Sequence, residues 1–340
     1  MSRAILFVFL VTGWAGSSVH AASISNLLEA VREPQFWRAR NLPGNWQTVS
    51  AQPAILRAKS PPPILGAVPK RIFAYGEGEG LSQLVVVFVE RGYNMDPWKQ
   101  PPEPEKVKYR ALFDRLTQEL PGALAQLCGA APVTNVLSAA ADEFRFKVLD
   151  YAAHGLVYRL HCQTNSRTAI TLTILPANRA GTNLWRELPA EERRRQLLDN
   201  VSRNSNGDVL LRNVPVIDQD GRPYCGPAVW TEIGRYYGLD VHQEMMITGG
   251  REGGKGVNRA ANLKQGFQKE WDFVKVMTSI DSGNLVWFGA PGHVALITGY
   301  NRSKREIFRT DSWGEGARNK RVPVDKFVKE SGPYMFFEPK

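Results

Sequence analysis

The chain has 340 residues, 43% of them hydrophobic and 22% charged, which is ample for a buried core and, by the usual size of domains, enough for two. That composition excludes disorder, a collagen-like repeat and a bare disulfide scaffold. The net charge, 43 − 33 = +10, is moderate for the length. Without several long basic clusters or interleaved aromatics, it does not point to a nucleic-acid partner.

Residues 1–22 begin with one basic residue, Arg3, run apolar from Ala4 to Ala15, and end in Ser17-Ser18-Val19-His20-Ala21-Ala22. This pattern resembles a secretory signal peptide cleaved after Ala21 or Ala22. An apolar run of about a dozen residues falls short of the roughly 20 needed to span a bilayer. The mature protein is therefore expected to be exported, periplasmic or secreted, with no stable membrane insertion. An oxidising compartment makes Cys128, Cys162 and Cys225 informative. Cys128 and Cys162 are able to pair with each other, which would leave Cys225 as the odd, reactive thiol; the spacing does not fix that pairing.

A short helix is expected over Leu27–Arg38, followed by an irregular stretch containing Ser60-Pro61-Pro62-Pro63. Arg71–Tyr75 and Leu84–Glu90 read as two strands of a hairpin joined by the glycine-rich turn Gly76–Gly80. After a second proline-rich connector, Pro97–Pro104, the spacing of Tyr109, Leu112, Phe113, Leu116 and Leu120 predicts a helix with one core face. Apolar residues then alternate at Phe144, Phe146 and Val148, over Leu156–Cys162, and at Ile170, Leu172 and Ile174. That period of two predicts a three-stranded meander. His154 and His161, seven apart, lack further ligands at compatible spacing and read as ordinary strand-region histidines. Asn178–Thr182 reads as a linker and Pro189–Asn200 as a charged helix, whose Arg193-Arg194-Arg195 run after Glu191-Glu192 is taken as a solvated face.

The second half carries the chemistry. Val229, Ile233, Tyr236 and Tyr237 have helical spacing, Pro227 is permitted in the first turn, and Gly238 stops the helix, so Cys225 sits at a helix N-terminus. Unsatisfied N–H groups and the positive end of the macrodipole favour a thiolate there. Of the two downstream histidines, His242 follows the plausible cap Asp240 and reads as an exposed first-turn residue. His293 opens a strand, and a hairpin centred on Arg302 places it opposite Asp311, a carboxylate able to fix its tautomer. Gln219, six residues before the cysteine, is placed to join the backbone N–H of Cys225 around a developing oxyanion. Gly249–Gly256 approaches a phosphate-binding loop but has Gly256 where Ser or Thr is required, and reads as a mobile loop able to line a cleft. Trp230 and Trp287 read as core or wall, and Trp313 as a shield beside Asp311.

Together, Gln219 before Cys225, the Tyr224-Cys225-Gly226-Pro227-Ala228 step, Gly292-His293-Val294-Ala295 leading to Gly299-Tyr300, and Asp311-Ser312-Trp313-Gly314 resemble a papain-like cysteine peptidase. The nearest subgroup is the bacteriocin-processing, or double-glycine, peptidase-like proteins, which use Asp as the third member, as at Asp311. The resemblance covers residues 213 to about 315 and implies Cys225 as nucleophile, His293 as general base and acid, Asp311 as orienter and Gln219 as oxyanion donor. Typical members are fused to a transporter and act on double-glycine leaders; no transmembrane or ATP-binding segment is read here, so that substrate is not carried over.

The expected fold class is α+β. A papain-like domain over 213–340, with a Cys-bearing helix on an antiparallel sheet carrying His and Asp, is preceded by a smaller α+β accessory domain over 65–178. The remainder divides into the signal peptide (1–22), an irregular segment (23–64) and a linker with a helix (179–212). The expected function is hydrolysis of peptide bonds, with a peptide or protein substrate, no nucleic acid and no cofactor or metal. Transglutaminase-type acyl transfer or deamidation, and a catalytically silent binding module, are the alternatives.

Overall fold

The computed structural model describes residues 27–39, 42, 45–77, 80–90, 102–134, 143–164, 167, 169–180, 188–219, 224–247 and 251–340. The signal-like segment 1–22 lies outside them. Two short helices, α1 (Leu27–Ala30) and α2 (Pro34–Arg38), lead into strands β1 (Trp46–Ala51), β2 (Ala54–Ala58), β3 (Arg71–Glu77) and β4 (Gly80–Glu90). The 26-residue helix α3 (Glu103–Cys128) and strands β5 (Val133–Thr134), β6 (Lys147–Ala153), β7 (Leu156–Cys162) and β8 (Ala169–Pro176) complete the first half. All pairings are antiparallel, in the order β1-β2-β3-β4-β8-β7-β6-β5.

The expected hairpin, helix and meander are present, with two differences. The segment expected to be irregular supplies β1 and β2, so the sheet begins at Trp46 rather than near residue 65. Phe144 and Phe146 precede β6 instead of lying within it, and both are buried in the core of the second half. Their alternation reflects packing across the two halves rather than a strand.

The first sheet is covered on both faces, which accounts for the unbroken apolar run of β4. Ile72, Ala74, Leu84 and Val86 face the core shared with Phe113 and Leu116 of α3. Their alternate neighbours Phe73, Tyr75, Val85 and Val87 form a separate cluster with Ile217 and Ala228 of the second half. Cys128 and Cys162 are both free, so the pairing left open by the sequence is not formed. Cys162 lies in the core against α3, where burial pushes its thiol up to about 12, leaving it protonated and inert.

The second half opens with α4 (Ala190–Asp199), β9 (Val201–Arg203) and β10 (Asp208–Leu211), followed by α5 (Cys225–Tyr236) and α6 (Arg251–Ala260). Then come β11 (Leu263–Gln268), α7 (Phe273–Asp281), β12 (Val286–Ala290), β13 (His293–Asn301) and β14 (Glu306–Thr310). The chain ends with β15 (Lys320–Pro323), α8 (Val324–Glu330) and β16 (Tyr334–Pro339). The sheet runs β11-β16-β12-β13-β10-β9, with β14 on β13 and β15 on β14. Strand β13 is its hub: residues 293–297 pair with β12, residues 299–301 with β10, and the same stretch pairs with β14. Arg193 does not belong to a solvated face. It is buried, and its guanidinium donates to the backbone oxygen of Lys340.

Of the glycine-rich stretch 249–256 expected to form a mobile loop, residues 251–256 belong to α6 instead, and 249 and 250 lie outside the described residues. Glycine is a poor helix former, but here the helix backbone is pressed against aromatic rings. A Cβ on Gly254 would meet Trp230 of α5 at 2.4 Å, and one on Gly256 would meet Phe144 at 2.7 Å. Close approach of these large surfaces outweighs the propensity penalty. Gly254→Ala is therefore expected to destabilise the fold by about 1–3 kcal/mol through overpacking, more than the roughly 1 kcal/mol that alanine regains in helix propensity. A lowered midpoint in thermal or urea unfolding tests this, and an unchanged or raised midpoint contradicts it.

Candidate active site

Cys225 opens α5 as expected, with Tyr224 at the cap and Gly238 in the left-handed conformation beyond the far end. The thiol is free and half-buried. Burial alone would raise its pKa. The hydrogen bond with His293, the backbone N–H of Val294, the charge of the imidazole and the N–H of Gly226 together outweigh burial and lower it. Thus the helix N-terminus assists, and the histidine supplies the larger stabilisation of the thiolate.

His293 is the first residue of β13, and its Nε2 lies 2.6 Å from Oδ1 of the buried Asp311. With Nε2 committed to the carboxylate, Nδ1 is the ring nitrogen left for the sulfur. The hydrogen bonds with Asp311 and then with Cys225 raise the imidazole from its ordinary range to about 9, against the opposing effect of burial. With the thiol pushed down and the imidazole pushed up, the two groups are coupled, each favouring the charged form of the other.

The contact is made, but not by the register expected. Strand β13 pairs Asn301 with Glu306 and, past an irregularity at Ile297/Gly299, Leu296 with Thr310. Continued beyond Thr310, that register sets Asp311 level with Ala295, two residues from His293. The pairing is therefore diagonal across the same face of the sheet, within reach of long side chains. Asp311 is held further by its N–H to Ala317 O at 3.2 Å, and its Oδ2 lies 3.9 Å from Arg309.

Gln219 is buried and doubly tied to Ser312, the residue after Asp311. Its N–H donates to Ser312 O at 2.9 Å, and its Oε1 accepts from the Ser312 hydroxyl. An amide whose oxygen is engaged by a hydroxyl presents its Nε2 hydrogens as the donors. Ser312 thus orients Gln219, a role not evident from the sequence even though the residue adjoins Asp311. Trp313 stacks on the His293 ring, centroids 6.4 Å apart and planes 23° apart, with 52% of its surface exposed. It covers one face of the imidazole while remaining open to solvent.

A second residue missed in the sequence is Glu232, seven positions after Cys225 and so on the same face of α5. It is fully buried, its Oε1 accepts the Ile217 N–H at 2.9 Å, and burial pushes its carboxyl well above the usual carboxylate range. Through that bond it holds the segment leading to Gln219. The signal was present: a glutamate amid the apolar residues of the cysteine helix.

His242 is not the exposed residue expected. It is 1% exposed, bonded through Nδ1 to Glu244 at 2.9 Å and through Nε2 to Thr171 of β8 at 3.2 Å. With both ring nitrogens engaged, neither is left for Cys225. His161 belongs to the same buried network through Thr171, at 3.4 Å, and His154 occupies the turn between β6 and β7 in a left-handed conformation. Among the described residues, no group of three or more His, Cys, Asp or Glu side chains converges to hold a metal ion.

No protein-family model matches the chain, and no curated protein matches it significantly. Solved structures similar to it include a putative C39-like peptidase from Bacillus anthracis, at 13% identity and a TM-score of 0.33, over 39% of this chain and 98% of that one. The peptidase domain of Streptococcus ComA, a bifunctional ABC transporter of a quorum-sensing pathway, aligns over 37% of this chain and 98% of its own, at 15% identity and a TM-score of 0.29. The N-terminal C39-like domain of a toxin-secretion ATP-binding protein from Vibrio parahaemolyticus aligns over 34% and 97%, at 15% identity and a TM-score of 0.27.

Because the folded His293 pKa is raised to about 9 from its ordinary 6.5, its contact with Asp311 stabilises the fold fully below about pH 6.5 and loses that contribution as pH rises through about 9. The melting-temperature advantage of the wild type over His293→Gln should therefore be present at pH 6 and shrink by pH 10. The same substitution should return the Cys225 thiol towards higher pKa and slow its alkylation by iodoacetamide at pH 6 by about tenfold or more. A pH-independent melting difference, or an unchanged alkylation rate, contradicts the pairing.

Proposed function

We propose that the protein is an exported cysteine peptidase that hydrolyses peptide bonds through a thioester on Cys225. The observation that carries this reading is the continuous hydrogen-bonded series from Cys225 to His293 to Asp311, with the thiol lowered and the imidazole raised to about 9. The N-terminal pattern of Arg3, an apolar run and small residues through Ala22 supports export.

In this mechanism the Cys225 thiolate attacks the carbonyl carbon of the scissile amide, and the carbonyl π-electrons move onto oxygen. The backbone N–H of Cys225 and the side-chain amide of Gln219 stabilise that oxyanion. Collapse breaks the C–N bond as the His293 imidazolium gives its proton to the leaving amine, forming the thioester. Neutral His293 then takes a proton from water, hydroxide character develops at the thioester carbonyl, and the second collapse releases the acid and regenerates the thiolate–imidazolium pair. Asp311 holds the ring in orientation throughout. Trp313 excludes water from one face of that ring.

An epoxide inhibitor directed at thiolates should add once to the wild type, at Cys225, and leave Cys225→Ala unlabelled; intact-mass measurement reads both, and labelling that persists in the variant overturns the assignment. Gln219→Ala should lower kcat about 10²–10³-fold with KM little changed, measured on a peptide library substrate. An equal loss expressed wholly in KM removes Gln219 from the oxyanion role. Hydrolysis yields free carboxylate even with added amine, whereas acyl transfer yields a new amide.

A further inference from the structure

The first sheet meets the second half along β1, and one hydroxyl lies at the centre of that meeting. Strand β1 bulges between Thr48 and Ser50 in its pairing with β2. A bulge re-aims side chains, and the consecutive residues Val49 and Ser50 are both buried towards the second half. The Ser50 hydroxyl donates to Pro53 O at 2.8 Å and accepts from Arg318 Nη2 at 2.7 Å and from the Val216 N–H at 3.4 Å. Its one proton and both lone pairs are engaged.

These partners belong to the two segments that carry catalytic side chains. Val216 lies three residues before Gln219. Arg318 lies seven residues after Asp311 and spans both segments, donating to Val214 O at 2.5 Å and, through Nε, to Glu315 at 2.6 Å. Glu315 in turn accepts the N–H of Ala51 at 2.8 Å. The turn holding Glu315 and Ala317 is tied to the backbone of Asp311. Two further contacts approach the same machinery: Arg57 of β2 lies 3.5 Å from Asp218, and Arg235 of the cysteine helix sits 3.6 Å over the ring of Tyr75.

We infer that the N-terminal sheet is a built-in positioning element of the active site. The Ser50–Arg318–Glu315 joint locks the Gln219 segment and the Asp311 turn into one register, so that the thiolate–imidazolium pair forms only when the sheet is docked. The inference rests on the peptidase reading of the site. Ser50, Glu315 and Arg318 are positioning residues: they act through Asp311 and Gln219 and do not touch substrate.

Ser50→Ala and Arg318→Met in the full mature chain test it by two readouts, the pH dependence of Cys225 alkylation by iodoacetamide and the kcat for peptide hydrolysis. A loosened Asp311 stabilises the imidazolium less, so the acid limb of the alkylation profile should move up by about half a pH unit or more, a roughly threefold loss of thiolate on that limb. kcat should fall about tenfold with KM nearly constant, while melting shifts by only a few degrees in Ser50→Ala. Profiles and kcat that coincide with the wild type overturn the inference. So does a loss of melting temperature with an unmoved profile, which is what a merely structural contact predicts. Ser50→Ala removes a single oxygen and carries the test alone if Arg318→Met fails to fold. A wild type that alkylates with a depressed thiol pKa but cleaves no peptide overturns the peptidase reading only, since the joint is scored on the alkylation profile.

Discussion

The second half of this protein is organised around one imidazole placed between a sulfur and a carboxylate. Each neighbour makes an opposite demand of the chain. The thiol has to be buried enough to be shielded, yet burial favours its neutral form; Asp311 has to be buried enough to be fixed in place, yet open on one side to the ring it orients. The conflict is resolved by giving each group a partner of opposite tendency. His293 lowers the thiol, and Asp311 raises the imidazole to about 9. Complete burial pushes the carboxyl of Glu232, beneath them, well above the usual carboxylate range.

That balance depends on segments far apart in sequence being fixed to one another. The hub strand β13 carries His293, its neighbour β14 delivers Asp311, and α5 delivers Cys225. Gly299 lets β10 close against the hub, since a Cβ there would meet Val209 O at 2.4 Å. Ser312 joins the Gln219 segment to the Asp311 turn by backbone and side chain together. The first sheet adds a third party to that junction through Ser50. The accessory half therefore shares a continuous surface with the cysteine helix, by way of Ala228, and with the segment leading to Gln219, by way of Ile217.

Much of the Cys225–His293–Asp311 arrangement was legible because its signals are local. A helix start is announced by Tyr224-Cys225-Gly226-Pro227 and a strand by the apolar run Val294–Ile297 after His293, and both elements lie where those patterns put them. What depends on two distant segments was not legible. The hairpin turns about a different centre and β13 bulges between Ile297 and Gly299, so Asp311 lies level with Ala295 rather than His293, and only because both lie on one face of the sheet does the His–Asp contact form. His242 looked exposed because its covering strand, β8, lies about seventy residues upstream. The glycines of α6 looked like a loop because the rings they accommodate, Trp230 and Phe144, come from elsewhere. Strands β1 and β2 were hidden among prolines and polar residues. A strand that gains its stability from neighbours on an existing sheet needs little apolar pattern of its own.

The two-sided burial of β3 and β4 has a consequence for biosynthesis. Synthesis runs from the N-terminus, so Phe73, Tyr75, Val85 and Val87 emerge well before Ile217 and Ala228, the residues that cover them. Through that interval the nascent chain presents an oily, strand-forming surface of the kind that recruits holdase chaperones or coalesces with its own copies. Solubility of the newborn polypeptide is thus set by how soon its C-terminal portion arrives, and truncation anywhere before the cysteine helix would strand the early portion in a sticky state.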